Sequence, residues 1–597
     1  MRLKLFKILT TLLLVCLGGG LLVVALFATQ LGLDSSANMG PMRKQLAAFA
    51  VVLLLLPLLA YLLGRLERRW HFTEWLKKKF SSFTDFFEKR SSETQVEKQK
   101  TGRRVPDGVW RGLAVLLVAL VSLWYLSGGK MTSLTPYTRF YDMQADAFLA
   151  GSTALLEEPP VQLAQLADPY DWHQREGFAY LWDATYYQGK YYLYWGPMPA
   201  LLASAFKLVR PVVVEDQVLV LLFVVGLAAV YAALLADVRK RFFPSAPGWT
   251  VFAFTLMLAF STPVFWLVNR PSVYEAAIAA CQFFLFLGLY ALVKGLFAVR
   301  RQWAWMLLAG IALGAAVGSR ASVLFVVLLL FGVSAWQLVK RVHNDRGALV
   351  SLAALTLPLA AFAVGLAWFN YARFGSIFET GLRYQLTGNF MGGEDTLLYS
   401  PWYVVPNLIL ALFQPFKNTA EFPFLKAVSN PHWGGMIRAA QHNYNVEPSS
   451  GILRTLPLLV LLLLPAVRVW KRFWSWLHEK PASSATSSVT PVPRWLWVIL
   501  VGSPALAFAV TVSFMMMTMR YLADFVPLLL LLTAVLMFHE LDRLRERLLQ
   551  RKVLLSALVL LGLAGVVIGL LINFANTDLR FMNINPLLFE QLSGWFD

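Results

Sequence analysis

The chain has 597 residues, of which 58% are hydrophobic and 15% charged, and its formal net charge is +19. Its mean hydropathy of +0.58 comes with repeated apolar runs of roughly 20 residues, the length that a helix needs to cross a bilayer. These values exclude a soluble globular protein, and they predict an all-α polytopic membrane protein, because only helices and closed barrels satisfy their backbone polar groups in lipid. The two cysteines, Cys16 and Cys281, both lie in apolar runs, so we expect neither a disulfide nor a metal pair.

The apolar runs predict about thirteen membrane-spanning helices. They cover roughly residues 8–28, 45–63, 109–126, 214–236, 248–268, 273–297, 303–319, 321–338, 348–370, 452–470, 495–515, 520–540 and 553–574. Two further apolar segments, 192–209 and 402–413, contain or adjoin prolines and are poor spans. We expect these two to lie at the membrane surface or to re-enter it without crossing.

The positions of lysine and arginine predict the orientation in the membrane. With the amino terminus inside, the predicted inner segments hold most of the basic residues, as the positive-inside rule requires. The net charge of +19 is therefore a topology signal and does not indicate nucleic-acid binding. It predicts a multi-pass protein of the cytoplasmic (inner) membrane, with the loops 128–213 and 371–451 and the carboxyl terminus on the outer face.

The predicted spans divide the chain into three parts. Residues 1–66 are expected to form an amino-terminal transmembrane hairpin, and residues 67–105 a basic cytoplasmic linker rich in Lys, Arg, Ser and Glu. Residues 106–597 form the transmembrane core with its two long external loops. No function is predicted for residues 1–105.

The first external loop is unusually acidic and aromatic, which makes it the best candidate for chemistry. Asp142 and Asp146 are four residues apart, so on a helix they share one face. Asp183 follows about forty residues later, beside a tyrosine-rich segment that includes Tyr191 and Tyr192. The aspartates could also be helix caps or surface carboxylates, and the tyrosines an interfacial aromatic belt.

Several charged residues are predicted where spans meet the outer face. Together with one tyrosine they are Arg270, Glu275, Arg320, Arg383, Arg520, Tyr521 and Asp524. Charges at membrane depth are costly and usually face an interior cavity, although snorkelling or local ion pairing is the alternative explanation for each of them. As a set they predict a cavity that holds an anion beside a base, because the planar fork of arginine suits phosphate.

The histidines do not predict a metal site. His173, His432 and His442 lie in the outer loops, but none of them has the His-Glu-x-x-His spacing of a zinc helix. We expect no cofactor, with a divalent metal bound by acidic residues such as Asp142 and Asp183 as the alternative. A Walker motif and a Gly-x-Ser-x-Gly elbow are both missing from the sequence.

Several loose motifs carry a family resemblance. They are Tyr141-Asp142 with Ala145-Asp146-Ala147-Phe148-Leu149, Asp183 with Gly189-Lys190-Tyr191-Tyr192, Arg270 with Tyr274-Glu275, Gly318-Ser319-Arg320, Asn370-Tyr371, and Arg520-Tyr521 with Asp524. With a large external loop after the first core span, they make residues 106–597 resemble the GT-C membrane glycosyltransferases. The nearer group is the protein mannosyltransferase and lipid A aminoarabinose transferase type.

The resemblance implies an enzyme that moves a hexose or pentose from a polyprenyl-phosphate donor to a lipid, glycan or protein acceptor. It implies inverting transfer on the outer face and a catalytic aspartate in the first external loop. Asp142 fits that role best and Asp146 is the fallback, with Asp183 as a third candidate. The family's usual Asp-Glu pair is Asp142-Met143 here.

The main rival is a lipid or saccharide transporter or flippase that performs no catalysis. A transporter predicts inverted repeats, broken spans near the membrane midplane and few large external loops. The chain has no recognisable internal repeat and two external loops of roughly 80 residues. A third hypothesis is a non-catalytic scaffold protein, which does not explain the arginines at the membrane edge.

Overall fold

The computed structural model describes residues 2–31, 33, 39, 43–44, 46–48, 50–55, 106–261, 263–298, 300–343, 345–388, 397–430, 433, 444–468, 492–575 and 580–596. The predicted linker 67–105 lies outside these residues, as do His432, His442 and most of the second predicted span. The described part is built mainly of helices, which confirms the all-α polytopic fold class.

The α-helices up to the second long loop are α1 Arg2–Phe27, α2 Asp107–Leu126, α3 Phe140–Leu149, α4 Val161–Gln165, α5 Met198–Val209, α6 Asp216–Phe242, α7 Trp249–Phe260, α8 Val264–Asn269, α9 Val273–Phe297, α10 Gln302–Ser319, α11 Leu324–Val342 and α12 Arg346–Phe374. Those that follow are α13 Val404–Phe413, α14 Ile452–Thr455, α15 Arg494–Ser513, α16 Met519–Leu522, α17 Val526–Arg543, α18 Leu548–Phe574, α19 Arg580–Ile584 and α20 Pro586–Ser593. Short 3₁₀ helices cover Trp172–Arg175, Ala321–Val323, Leu382–Tyr384, Pro401–Tyr403 and Pro457–Leu462.

Among the described residues, six short strands form three two-stranded pairs. The antiparallel pairs are β1 Thr185–Tyr187 with β2 Lys190–Tyr192, and β3 Lys417–Asn418 with β4 Leu425–Lys426. The third pair, β5 Asn445–Val446 with β6 Met516–Met517, is parallel.

Among the described residues, eight helical segments are long and apolar enough to cross a membrane. They are α2, α6, α9, α10, the segment Ala321–Val342 that contains α11, α12, α15 and α18. Each of the eight coincides with a span predicted from the sequence. The total of thirteen stays a prediction.

Three predicted spans are not continuous helices. Span 248–268 is divided into α7 and α8 before Pro263, whose ring cannot donate a hydrogen bond to the preceding turn. Span 452–470 begins as α14 and is interrupted at Pro457, where a 3₁₀ helix starts. Span 520–540 is divided into α16 and α17 around Asp524.

The two segments expected to stay at the membrane surface form short helices. Helix α5 has 12 residues and α13 has 10. At a rise of 1.5 Å per residue they are about 18 and 15 Å long, which is well short of the roughly 30 Å hydrocarbon core.

Helix α9 is the centre of the bundle. It is apolar on all sides, and 83% of its most apolar window is buried, because α6 packs on one side and α10 on the other. Helix α12 is peripheral, with 11% of its most apolar window buried, so most of its surface faces outward.

The helix bundle has two ends, each named for the residues that lie there. The "loop end" is marked by Tyr274 and Arg320, and the "basic end" by Lys240 and Lys294.

The first long loop, residues 128–213, is a folded unit. Strands β1 and β2 form a hairpin whose turn, Gln188-Gly189, has φ values of 48° and 75°. Two successive residues with positive φ are typical of the type I′ hairpin turn, and the glycine permits this without strain. The hairpin holds the tyrosine-rich segment against the loop end of the bundle.

The second long loop, residues 371–451, is joined to the bundle by the parallel pair β5–β6. In continuation of this pair, the backbone N–H of Glu447 donates to the carbonyl of Met517 at 2.9 Å. The pairing places Glu447 beside the short helix α16, which carries Arg520. Sequence-distant parts of the chain therefore meet at the loop end.

Candidate functional site

A cavity of about 280 Å³ lies at the loop end of the bundle. It is lined by the first turn of α9, the carboxyl ends of α10 and α15, helix α16 and both long loops. Its polar and aromatic lining residues include Tyr194, Tyr274, Arg320, Ser322, Gln385, Tyr399, Asn445, Glu447, Arg520, Tyr521 and Asp524. Arg320, Arg520, Tyr521 and Asp524, which the sequence analysis placed at the membrane edge, line this cavity together.

Arg320 is held at the cavity wall by one of its three guanidinium nitrogens. Its Nε donates to Asp524 Oδ2 at 3.2 Å and to Ser322 Oγ at 3.0 Å, and its guanidinium lies 4.9 Å from the centre of the Tyr521 ring. Among the described residues, neither terminal nitrogen of Arg320 has a hydrogen-bond acceptor. Because the side chain is 20% exposed, two charged N–H₂ groups are available to an anion in the cavity.

Arg520 is engaged differently. Its Nη1 and Nη2 donate to the two carboxylate oxygens of Glu447 at 2.8 and 3.1 Å, and its guanidinium lies 4.8 Å from the centre of the Tyr274 ring. Burial acts to raise the pKa of Glu447, but the charge of Arg520 and a hydrogen bond from Thr518 hold it below its ordinary value. Glu447 is therefore ionised, and the planar fork of Arg520 is occupied.

Asp183 lies directly behind the cavity wall. Its carboxylate accepts hydrogen bonds from Gln385 Nε2 at 3.2 Å and from the hydroxyl of Tyr274, both of which line the cavity. Burial raises the pKa of Asp183 above that of an ordinary aspartate, although Tyr274 and the nearby Arg520 oppose the shift. The carboxylate of Asp183 is therefore more basic than that of an ordinary aspartate. Tyr274 and Gln385 lie between it and the cavity.

The backbone of Asp183 adopts φ = 66°, in the left-handed region that side chains other than Asn and Asp rarely occupy. Its N–H donates to the carbonyl of Leu386 at 3.0 Å, which ties the turn before β1 to the second loop. The side chain is thus held in one position by both of its neighbours.

Arg270 and Glu275 extend the charge network beneath the cavity. Glu275 is fully buried in the first turn of α9 and accepts a hydrogen bond from Ser272 Oγ. The positive charges of Arg520 and Arg270 both act on it. Arg270 donates from Nε to the hydroxyl of Tyr137 at 3.4 Å. Neither residue lines the cavity directly.

Asp142 and Asp146 do not line the cavity. Lys207 Nζ lies 2.6 Å from an oxygen of each, so one lysine bridges α3 and α5. Asp142 is buried and also accepts the backbone N–H of Val214 at 2.8 Å, whereas Asp146 is 47% exposed. The structure therefore brings these two aspartates together with Lys207 and apart from Asp183.

Three further predicted site residues also lie away from the cavity lining. Tyr191 is buried, and its hydroxyl accepts the N–H of Leu181 at 3.2 Å. Tyr192 packs on Phe374 with ring centres 5.4 Å apart. Arg383 is exposed and lies 3.8 Å from Glu379.

The sequence analysis missed Glu447, Gln385 and Ser322. Glu447 lies in a loop with no apolar periodicity, and its partner Arg520 is 73 residues away, so no local pattern pairs them. Ser322 follows Arg320 by two residues, and that spacing at the end of a span was the one available signal.

An apolar groove of about 550 Å³ lies beside the cavity. Its lining is formed mainly by α5 and α12, with Met198, Leu201, Phe362, Leu366 and Phe369 among the residues. Gly196 and Gly318 separate the two spaces. A Cβ on Gly196 would lie 2.1 Å from the carbonyl oxygen of Gly318, so the wall between cavity and groove is two backbones in contact.

The described residues contain no cluster of three or more His, Cys, Asp or Glu side chains that could hold a metal ion. The arrangement of cationic and acidic groups does not depend on such a cluster. The cavity offers the two terminal N–H₂ groups of Arg320, and the basic carboxylate of Asp183 lies behind the wall formed by Tyr274 and Gln385.

A family model matches part of the chain. It is that of the dolichyl-phosphate-mannose-protein mannosyltransferases, and it matches residues 249–378. The matched stretch contains Arg270, Glu275 and Arg320. It confirms the resemblance to the GT-C membrane glycosyltransferases. None of the curated proteins matches the chain.

Two solved structures are similar to the chain. ArnT from Cupriavidus metallidurans, bound to undecaprenyl phosphate, shares 12% identity over 80% of this chain and 77% of its own, with a TM-score of 0.34. The apo oligosaccharyltransferase from Archaeoglobus fulgidus shares 14% identity over 82% of this chain, with a TM-score of 0.37. The match spans 59% of that archaeal enzyme's length.

Proposed function

We propose that this protein is an inverting glycosyltransferase that moves a sugar from a polyprenyl-phosphate donor to an acceptor hydroxyl or amine. The single observation that carries the proposal is one cavity whose lining holds Arg320, with terminal nitrogens that have no acceptor among the described residues, and Tyr274 and Gln385, which hydrogen-bond the basic carboxylate of Asp183 behind the wall. The match to a family named for dolichyl-phosphate-mannose supports the donor class.

In the proposed reaction the acceptor attacks the anomeric carbon of the sugar as the bond to the phosphate oxygen breaks. The acceptor loses its proton to a base, and the polyprenyl phosphate leaves with one more negative charge than it had in the donor. A base and a cationic partner for the leaving phosphate are the two groups that such a step needs.

We assign the phosphate to Arg320. Its two unoccupied terminal nitrogens can donate two parallel hydrogen bonds to phosphate oxygens, and the buried contact between Nε and Asp524 fixes the plane of the fork. Arg520 would contribute charge at longer range while Glu447 occupies its fork. Arg270 would act further from the phosphate.

We assign the base to Asp183, ahead of Asp142 and Asp146. A general base works best when its pKa approaches the working pH, and burial raises the pKa of Asp183 in that direction. Tyr274 and Gln385 stand between Asp183 and the cavity, so the acceptor would reach the carboxylate beside or through them. Asp142 is already engaged by Lys207.

The apolar groove suits the chain of a lipid-linked donor. It lies on the far side of the Gly196–Gly318 wall, next to the cavity that would take the phosphate and the sugar. Its lining is apolar over most of its surface, as an isoprenoid chain requires. We propose the outer face of the cytoplasmic membrane for this site, because the distribution of Lys and Arg along the chain supports that orientation.

The test is transfer by the purified full-length protein from a radiolabelled polyprenyl-phosphate sugar. We expect label in an acceptor and release of polyprenyl phosphate, and both should fall together in Arg320→Lys and Asp183→Asn. A transporter would instead move intact donor across a vesicle membrane without cleaving the sugar–phosphate bond. That result would establish the transporter hypothesis.

A further inference from the structure

The carboxylate proposed as the base does not itself line the cavity. Asp183 lies behind the wall, and two residues of the lining, Tyr274 and Gln385, stand in front of it. A base behind a hydroxyl group can still deprotonate an acceptor, provided that the hydroxyl takes up one proton as it gives up another. The side chains between Asp183 and the cavity therefore decide how the acceptor loses its proton.

Gln385 holds the hydroxyl of Tyr274 and the carboxylate of Asp183 together. Its Nε2 donates to Asp183 Oδ1 at 3.2 Å and to the hydroxyl oxygen of Tyr274 at 3.3 Å. The Tyr274 hydroxyl is also hydrogen-bonded to the Asp183 carboxylate. An ionised carboxylate only accepts hydrogen bonds, so the single hydroxyl proton of Tyr274 points to Asp183.

The hydroxyl of Tyr274 has one more partner, the hydroxyl of Tyr194. Because the proton of Tyr274 is committed to Asp183, Tyr194 is the donor in this second hydrogen bond. A hydroxyl group donates one hydrogen bond and accepts at most two. Gln385 and Tyr194 both donate to Tyr274, so its oxygen has no lone pair left for an incoming acceptor. Tyr194 is therefore the outer member of the chain.

Tyr194 is placed to meet the acceptor. It lines the cavity, and among the described residues no N–H or O–H group donates to its hydroxyl oxygen. Burial raises the pKa of Tyr194, so the hydroxyl keeps its proton at neutral pH. The next residue, Trp195, packs edge-on against the Tyr274 ring with ring centres 4.9 Å apart, which fixes the two tyrosines relative to each other.

The same wall of the cavity carries Arg320, the proposed phosphate ligand. Gly196, two residues after Tyr194, packs against the backbone of Gly318 and Ser319 at the end of α10, with no space for a side chain. Arg320 is the next residue after that contact. The hydroxyl that would receive the acceptor's proton and the arginine that would hold the leaving phosphate are thus positioned by one backbone contact.

We propose that Tyr194 and Tyr274 relay the acceptor's proton to Asp183, an inference that rests on the transfer reaction proposed above. The acceptor's nucleophilic atom bonds to the anomeric carbon and gives its proton to the Tyr194 oxygen. Tyr194 passes its own proton to Tyr274, and Tyr274 passes its own to Asp183. The bond from the anomeric carbon to the phosphate oxygen breaks, and that oxygen keeps the electron pair. Both tyrosines end neutral, and Asp183 ends as the carboxylic acid.

The experiment measures single-turnover transfer by the purified full-length protein from a polyprenyl-phosphate sugar radiolabelled in the sugar, with an extract of the host membranes as the source of acceptor. Tyr194→Phe and Tyr274→Phe keep the ring packing and each remove one hydroxyl of the chain. We expect each variant to transfer about 10²–10⁴ more slowly, the usual contribution of a general base, with donor affinity unchanged.

Tyr170→Phe is the matched control for the loss of a tyrosine hydroxyl. Its hydroxyl lies in the same loop and donates to the backbone carbonyl of Tyr186 at 2.9 Å, outside the chain that leads to Asp183. This variant should transfer at the wild-type rate. Unfolding temperatures measured on all the variants show which of them keep the fold.

Two further readouts separate a relay from a structural role. Residues that act as one unit lose their effect only once, so Tyr194→Phe/Asp183→Asn should be no slower than Asp183→Asn alone. In mixtures of H₂O and D₂O the wild-type rate should fall along a curve as the deuterium fraction rises, because more than one proton moves in the step. A single direct proton transfer to Asp183 would give a straight line.

The outcomes distinguish the relay from the transfer reaction itself. Wild-type transfer by Tyr194→Phe, or losses that multiply in the double variant, would overturn the relay and leave the proposed transferase function in place. A straight-line dependence on deuterium in the wild type would overturn the relay even if both phenylalanine variants failed to fold. If the wild type transferred no sugar under these conditions, the proposed function would be overturned, and the relay with it.

Discussion

Arg520 and Glu447 face each other through two parallel hydrogen bonds at 2.8 and 3.1 Å, although 73 residues separate them. The pair links the second long loop to α16 at the cavity wall. Glu447 also occupies both terminal nitrogens of the Arg520 guanidinium, which would otherwise be free to bind an anion. Arg320 is consequently the arginine of the cavity lining whose terminal nitrogens face the cavity without an acceptor among the described residues.

Replacing Glu447 should destabilise the protein. Glu447→Gln keeps the shape and one hydrogen bond but leaves the buried Arg520 without its counter-charge, and loss of a charged hydrogen bond costs about 1.5–3 kcal/mol. Thermal unfolding in detergent measures the loss. Glu421→Gln is the control, because its side chain is exposed in the same loop. Equal unfolding temperatures for the two variants would contradict the structural role of the pair.

Replacing Arg320 by lysine should weaken donor binding with little loss of fold. Lysine keeps the positive charge but lacks the planar fork, so one of two hydrogen bonds to the phosphate is lost. We expect donor affinity to fall about tenfold, which corresponds to roughly 1.4 kcal/mol. Arg383→Lys is the matched control, because Arg383 is exposed beside Glu379. A similar affinity in both variants would refute the assignment of Arg320.

The sequence predicted the spanning helices well because length and hydropathy are local properties. Helices α9 and α10 fall within two residues of the predicted spans 273–297 and 303–319. It failed where a proline or a buried charge divides an apolar run, as at Pro263 and around Asp524. A hydropathy average over about twenty residues does not detect a single turn at which the helix is interrupted.

The sequence identified several charged residues of the candidate site, but it did not predict which of them pair with each other. Arg320, Arg520 and Asp524 were identified because charge at a membrane edge is costly wherever it occurs. Glu447 was missed because only the tertiary fold brings it to Arg520. Asp142 was favoured because it follows a span closely, and the sequence held no sign that Lys207, 65 residues later, would engage it.

The predicted orientation can be tested with single cysteines in a background that lacks Cys16 and Cys281. Lys417→Cys lies in the second external loop and Lys552→Cys at the basic end, and both positions are exposed. A membrane-impermeant maleimide should label Lys417→Cys in intact cells and Lys552→Cys only after permeabilisation. The reverse pattern would place the cavity at the inner face.

The transfer rate should depend on pH through Asp183. A base must be ionised, so the rate should fall as the pH is lowered through the pKa of Asp183, which burial raises above the ordinary value of about 3.9. A raised pKa means that the folded state holds the proton more tightly than the unfolded state, so protonation of Asp183 does not destabilise the fold. The acid loss of activity should therefore be reversible.

Measurements of kcat/KM against pH, paired with circular dichroism, check this expectation. The pKa of Glu447 is shifted in the opposite direction, below its ordinary value, because of the charge of Arg520, so its pair with Arg520 stays ionised to lower pH than an ordinary glutamate would. If the loss of kcat/KM at acid pH had an apparent pKa no higher than that of an ordinary aspartate, this would count against Asp183 as the base. A loss that coincides with unfolding would count against it too.

Asp183→Asn and Asp142→Asn should have opposite effects, and comparing them separates the candidate bases. Asparagine tolerates the left-handed backbone of residue 183, where φ is 66°, and it retains a carbonyl that Gln385 and Tyr274 can bond. The Asp183→Asn protein should therefore fold and bind donor. Its transfer rate should fall by about 10²–10⁴, the usual contribution of a general base.

Asp142→Asn should instead reduce stability and leave transfer by the folded fraction largely intact. Lys207 is 9% exposed, and without the charge of Asp142 it retains only the half-exposed Asp146, at a cost of about 1.5–3 kcal/mol. Unfolding temperature, donor affinity and single-turnover transfer should be measured on both purified variants. If Asp142→Asn abolishes transfer at full stability while Asp183→Asn remains active, the base is Asp142, and Lys207 must then release it during the reaction.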